Sequence, residues 1–154
     1  MMRYRFASPE WLAAIHGIFA QRASALRAQG IADRVSICEV YRNCPADLGW
    51  TNNELAWSCV YEDGVVDFRR TERSDVSFKV SGTYAALAPL VTFEIGTDPA
   101  RAATFGQMVM DCLASGGITP EIGEGFAEPG DLESFHDVLA RISSIDAVNG
   151  PSAP

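Results

Sequence analysis

Apolar residues first recur at helical spacing between residues 9 and 29, where Leu12, Ile15, Phe19 and Leu26 form a stripe that Ala23 completes. Ser8 offers an N-cap hydroxyl and Pro9 suits the first helical position. Glu10 meets the positive end of the helix dipole, and Gly30 stands where a C-terminal cap belongs. The spacing predicts a helix over about 9–29. Residues 35–42 (VSICEVYR) are apolar on both phases, with Val35, Ile37 and Tyr41 on one and Cys38 and Val40 on the other. Such a run predicts a strand covered on both faces, although Glu39 and Arg42 leave room for an edge. Residues 43–53 are turn chemistry around one large apolar side chain, Trp50.

Alternation takes over next. Asp63-Gly64 lies between two β-rich runs, as a two-residue type I′ hairpin requires. That turn sets Glu62 opposite Val65, Tyr61 opposite Val66 and Cys59 opposite Phe68. One face then collects Leu55, Trp57, Cys59, Tyr61, Val66 and Phe68. The other collects Ser58, Glu62, Asp67 and Arg69, with Val60 as the exception. Residues 75–81 (DVSFKVS) repeat the pattern, and the three runs read as an antiparallel meander whose greasy side must be roofed by helices.

Helical candidates supply the roof. Tyr84, Leu87, Leu90 and Val91 suit one face of a short helix that contains Pro89. Asp98-Pro99 opens a second, with Phe105, Met108, Val109 and Cys112 as its stripe and Gly116-Gly117 as its end. A strand over 104–113 is the competing reading. Residues 118–130 (ITPEIGEGFAEPG) read as a loop, and a last helix runs from about Asp131 to Ile142 on Leu132, Phe135, Leu139 and Ile142. The expected architecture is α+β, one mostly antiparallel twisted sheet of three to five strands covered on one face by three or four helices. It forms a single domain over 1–145 with a disordered tail over 146–154.

Composition narrows the function. The chain has 154 residues, of which 47% are hydrophobic, enough for a proper core. A net charge of −8 repels phosphate backbones and anionic membrane surfaces, which speaks against nucleic acid and stable membrane insertion. The greasiest stretch, Tyr84 to Phe93, falls short of a membrane span, and no signal peptide is evident, so a cytoplasmic location is expected. Four cysteines without a CxxC pair (Cys38, Cys44, Cys59, Cys112) read as reduced small hydrophobes.

Catalytic material is scarce. The two histidines, His16 and His136, flank helical stripes, and the chain contains no P-loop, GxGxxG, HExxH or GxSxG. Glu39 and Asp67 are the strand carboxylates least explained by turns and caps, and either could hold a raised pKa beside a cavity. The cluster Arg69, Arg70 and Arg73 reads as a solvated face, with an anionic contact as the alternative. Aromatic and soft residues are more abundant than short strands require. Trp57, Tyr61, Phe68, Phe78, Tyr84, Phe105 and Met108 are therefore the candidate lining of a cavity for a greasy molecule.

The order of SPEWL, ICEVYRNCP, ELAWSCVYEDGVVDFRR and SDVSFKVSGTYAALAPL, over about residues 9–92, resembles the sterol carrier protein 2-like (SCP-2) family. The resemblance rests on hydrophobic patterns and weakens after Phe93, where family members continue with a Gly-begun pair of strands. It implies one five-stranded sheet with helices and a tunnel for fatty acyl chains, sterols or similar lipids, without cofactor, metal or chemistry. The leading expectation is therefore binding or transfer of an apolar small molecule. The alternative is a cofactor-free isomerase, cyclase or hydratase acting on a polyketide, terpenoid or steroid, with Asp67, Glu39 or His16 as its base. A third reading docks the greasy face on a partner, a second copy or a partner enzyme.

Overall fold

The computed structural model describes residues 2–123 and 129–145, and the backbone of 150–151. Strand β1 (Met2–Arg5) leads into helix α1 (Pro9–Ala28). The Ser8 hydroxyl accepts from the Trp11 N–H at 3.1 Å, a cap that contributes about 1 kcal/mol. At the other end Gly30 takes φ +76°, so its N–H reaches the Arg27 carbonyl and the Ile31 N–H reaches that of Leu26. The helix therefore starts and stops where its signals predict.

The main sheet comprises β2 (Val35–Arg42), β3 (Leu55–Glu62), β4 (Val65–Arg69), β5 (Phe78–Thr83) and β6 (Ile118–Ile122), in the order β4-β3-β2-β5-β6. Asp63 and Gly64 both adopt positive φ, and the β3–β4 register is Glu62↔Val65, Tyr61↔Val66 and Cys59↔Phe68, as the hairpin turn dictates. Between β2 and β3 a chain of two short 3₁₀ turns carries Trp50, whose indole N–H donates to the Ala7 carbonyl at 2.8 Å.

Two expectations about the sheet are corrected. The run 75–81 does not extend the meander beside β4. Residues 75–77 stay outside the ladder, and β5 lies parallel to β2, pairing Ile37 with Phe78 and Tyr41 with Gly82. The reason is local chemistry on the back of the sheet. Segment 70–77 crosses that face and anchors there, the Arg73 N–H donating to Cys38 Sγ and the Ser77 N–H to Ser36 Oγ at 2.8 Å. This crossing buries Ser36, Cys38 and Ser58 completely, so β2 is covered on both sides. The second correction concerns 118–122, read as loop because of Thr119, Pro120 and Glu121. This stretch forms the edge strand β6, antiparallel to β5, and an edge tolerates a proline.

Helices α2 (Tyr84–Val91), α3 (Pro99–Ser115) and α4 (Phe135–Ile142) complete the layer. Residues 104–113 are helical. Asp98 caps the Ala100 N–H at 2.9 Å, and Gly116, at φ +74°, lets the Gly117 N–H close on the Cys112 carbonyl. After α3 the described chain adds one strand, β6, to the main sheet, where the family resemblance implies two; the sheet nonetheless has five. Gly82 and Gly117 permit this closure, since a Cβ on Gly82 would lie 2.5 Å from the Gly117 carbonyl oxygen. Helix α4 begins at Phe135 rather than Asp131, leaving Leu132 half-buried outside it.

Sequence reading assigned nothing to residues 2–7. They form β1, parallel to β7 (Ser143–Ser144) and antiparallel to β8 (Gly150–Pro151), and they deliver Phe6 and Ala7 fully buried. Phe6 meets Trp11, Tyr41 and Tyr84 with ring centroids 4.9–5.1 Å apart. Of the expected disordered tail, residues 146–149 and 152–154 lie outside the described residues. Among the described residues no helix is long and apolar enough to cross a membrane.

Candidate ligand cavity

Strand alternation places Ile37, Glu39 and Tyr41 of β2 on the helix-covered face, beside Trp57 of β3 and Phe78 and Val80 of β5. Over β3 and β4 this layer is solid. Phe19 of α1 lies 5.7 Å from both Trp57 and Tyr61, and Trp11, Trp57 and Tyr61 are all but fully buried. Over Ile37 of β2 and Phe78 of β5 no tryptophan fills the layer, and the roof is α4 together with the end of α2. There a cavity of about 270 Å³ opens, lined by Ile37, Glu39, Phe78, Val91, Ser134, Phe135, His136 and Leu139.

Polar ties along its length hold α4 above the sheet. The Asp137 carboxylate accepts from the N–H groups of Ile95 (2.7 Å) and Gly96 (3.1 Å), fastening α4 to the α2–α3 connection. His136 Nε2 lies 2.8 Å from the Phe93 carbonyl; a carbonyl can only accept, so that nitrogen carries the proton. Arg141 pairs with Glu94 and Glu133, and the Arg22 guanidinium donates to the Glu133 carbonyl at 2.8 Å. Phe135 stacks on Phe19 at 4.5 Å. Helix α4 is thus positioned by its flanks, and its inner stripe need not collapse onto β2 and β5.

Glu39 is the acidic group among these apolar walls. Its Oε2 accepts from the Tyr41 hydroxyl at 3.0 Å, and that hydroxyl accepts from the Trp57 indole N–H at 2.8 Å. Oε1 has no protein partner among the described residues. Loss of hydration pushes the Glu39 carboxyl up to about 7, against the smaller opposing effect of the Tyr41 hydroxyl. The same burial raises Tyr41 well above the ordinary phenol range.

Of the candidate lining residues, Phe78 borders the cavity. Trp57 and Tyr61 sit in the solid core under α1. Phe68 is half-buried between Trp57 and His16, Tyr84 stacks on Phe6, and Phe105 lies 4.7 Å from His136, just behind the lining. Met108 is half-buried on α3. Among the candidate bases, Glu39 borders the cavity. Asp67 is on the opposite face, 43% exposed and paired with Arg69 and Arg73, while His16 is exposed on α1, stacked on Phe68 at 4.8 Å. Arg73 also pairs with Asp75, and Arg70 sits over the Trp50 ring, so the arginine cluster is engaged within the chain.

Ile37, Val91, Phe135 and Leu139 were legible as core stripes, yet nothing in the sequence tells that their faces converge. His136 read as a flank of its helix for the same reason. Cys38, Cys44, Cys59 and Cys112 are free thiols, and burial pushes Cys59 up to about 12, which fits a packing role. No group of three or more metal-ligating side chains occurs among the described residues.

No protein-family model matches the chain, and no curated protein does. Among solved structures the chain is similar to one titled UbiJ-SCP2 Ubiquinone synthesis protein, at 12% identity and a TM-score of 0.36, over 91% of each chain. A likeness of that size carries no functional argument.

Proposed function

We propose that this protein binds a small apolar molecule in the cavity between α4 and strands β2 and β5, without chemistry of its own. The observation that carries the reading is the void of about 270 Å³ walled by Ile37, Phe78, Val91, Phe135 and Leu139. Natural ligand pockets start near 300 Å³, and an engineered apolar cavity of about 150 Å³ already takes up benzene. At roughly 30 Å³ per water-sized group, the space suits about nine non-hydrogen atoms. That is one ring with a short substituent, or a short alkyl chain, rather than a whole sterol. Of the three bases named for a pocket enzyme, two face solvent, so the binding reading is the better supported.

Burying about nine carbons contributes roughly 7 kcal/mol, against an association cost of about 4 kcal/mol, and the surplus of about 3 kcal/mol corresponds to dissociation constants of about 6 mM for simple probes. Fluorobenzene titrated to several millimolar and followed by its fluorine resonance tests this. Saturable broadening that disappears in Leu139→Trp, with the fold intact, supports the proposal. Absence of saturation in the parent protein overturns it.

A further inference from the structure

We propose that the cavity selects a neutral ligand bearing one hydroxyl or carbonyl oxygen, and that the Glu39 carboxyl holds this oxygen. The inference rests on the apolar-ligand reading and adds the polar end of the ligand to it. A purely apolar guest gives no reason for a carboxyl group in the wall, and β2 places one there between Ile37 and Tyr41, on the face that α4 roofs.

The geometry leaves half of that carboxyl for a guest. Tyr41, itself fixed by Trp57, occupies Oε2, so the carboxyl is oriented, and Oε1 lacks a protein partner. Glu39 is only partly buried, so this oxygen stays open to the hydroxyl or carbonyl group of a guest entering the cavity. As a neutral acid the group donates to a carbonyl or ether oxygen; it also accepts from a hydroxyl. Loss of hydration raises the carboxyl to about 7, so it is mostly protonated at pH 6.

The same wall rejects anions. Among the described residues no lysine or arginine lines the cavity; Arg22, whose guanidinium lies over the Phe135 ring, donates to the Glu133 carbonyl. Lys79 is paired with Glu72 on the back face, and Arg141 is paired with Glu94 and Glu133. The His136 Nε2–H is committed to the Phe93 carbonyl. A ligand carboxylate would leave water for apolar walls without a cation to offset its charge, in a protein of net charge −8, and that loss outweighs one hydrogen bond from Glu39. Free fatty carboxylates are therefore poor guests, whereas alcohols and ketones of matching size are good ones.

Toluene, benzyl alcohol and benzoate share one ring and differ only at the polar end. Their affinities are measured at pH 6 by chemical-shift titration of the parent protein, Glu39→Gln and Glu39→Leu. The ratio of benzyl alcohol to toluene affinity is expected to fall about tenfold in Glu39→Leu and to stay within about twofold in Glu39→Gln, whose amide keeps both hydrogen-bonding roles. Benzoate is expected to bind at least about tenfold more weakly than benzyl alcohol. Toluene binding with an unchanged ratio in Glu39→Leu overturns this inference alone, and benzoate binding as tightly as the alcohol does so even if that variant fails to fold. Absence of binding by all three removes the cavity reading itself.

Discussion

Replacing Glu39 by glutamine tests the electrostatics of the cavity without a ligand. Glutamine keeps the shape and the hydrogen bond from Tyr41 but cannot ionise. In the folded protein the Glu39 carboxyl titrates near 7, against an ordinary value of 4.5. The folded state thus binds this proton more tightly than the unfolded chain. The contribution of Glu39 to stability is fully present below about pH 4.5, falls as pH rises to about 7, and is level above that. The 2.5 units between those values correspond to about 3 kcal/mol at most, and the open mouth of the cavity reduces this to roughly 2 kcal/mol. Asp47, Asp75 and Glu133 are held below the usual carboxylate range by Arg5, Arg73 and Arg141; what they contribute is lost only as pH falls through lower values, and equally in both proteins. Urea unfolding at pH 5, 6, 7 and 8 measures the difference. The expected result is a Glu39→Gln protein that gains on the parent by about 1 kcal/mol between pH 5 and pH 8, with most of the change below pH 7. A difference that does not change with pH would refute the reasoning, because it would mean that water solvates the carboxyl as well in the folded protein as in the unfolded one.

Other perturbations report on the walls and their supports. Val91→Phe adds about four side-chain carbons to the cavity; folding stability should hold or rise by about 1 kcal/mol while probe binding is lost, whereas overpacking of a solid interior would cost about 1–3 kcal/mol, as urea unfolding distinguishes. Asp137→Ala strands the Ile95 and Gly96 N–H groups and should destabilise by about 2 kcal/mol, with weakened probe binding as α4 loses its tether. Gly82→Ala forces a methyl against the Gly117 carbonyl, and a lower thermal midpoint together with faster amide exchange in β6 than in β3 is expected.

What could be read from the residues was whatever local chemistry decides. Ser8-Pro9 and Gly30 set the ends of α1, Asp98-Pro99 and Gly116-Gly117 those of α3, and Asp63-Gly64 the register of β3 on β4. What escaped depended on distant partners. The parallel seat of β5 follows from hydrogen bonds to Ser36 and Cys38, some forty residues earlier in the chain. Strand β1 needs Ser143 and Ser144 to pair with, and Trp11 donates its indole N–H to Ser143, so neither end of the chain predicts the contact alone. The cavity escaped for a related reason. Bulky aromatics suggested a greasy lining, but large rings fill space, and Trp57 and Tyr61 close the layer under α1. The hollow lies instead beside β2 and β5, where no tryptophan fills the layer and a helix is held at its flanks. Glu39 stood out because strand carboxylates without a turn or cap role are uncommon, and the structure sets it in that hollow.

The most direct measurement is methyl-resolved NMR during addition of toluene to several millimolar. Saturable shifts confined to Ile37, Val91 and Leu139, with Leu12, Ile15 and Leu26 of the α1 layer unmoved, are the predicted outcome. Static methyl resonances throughout, or small drifts spread evenly over both groups, would contradict a ligand-sized space beneath α4.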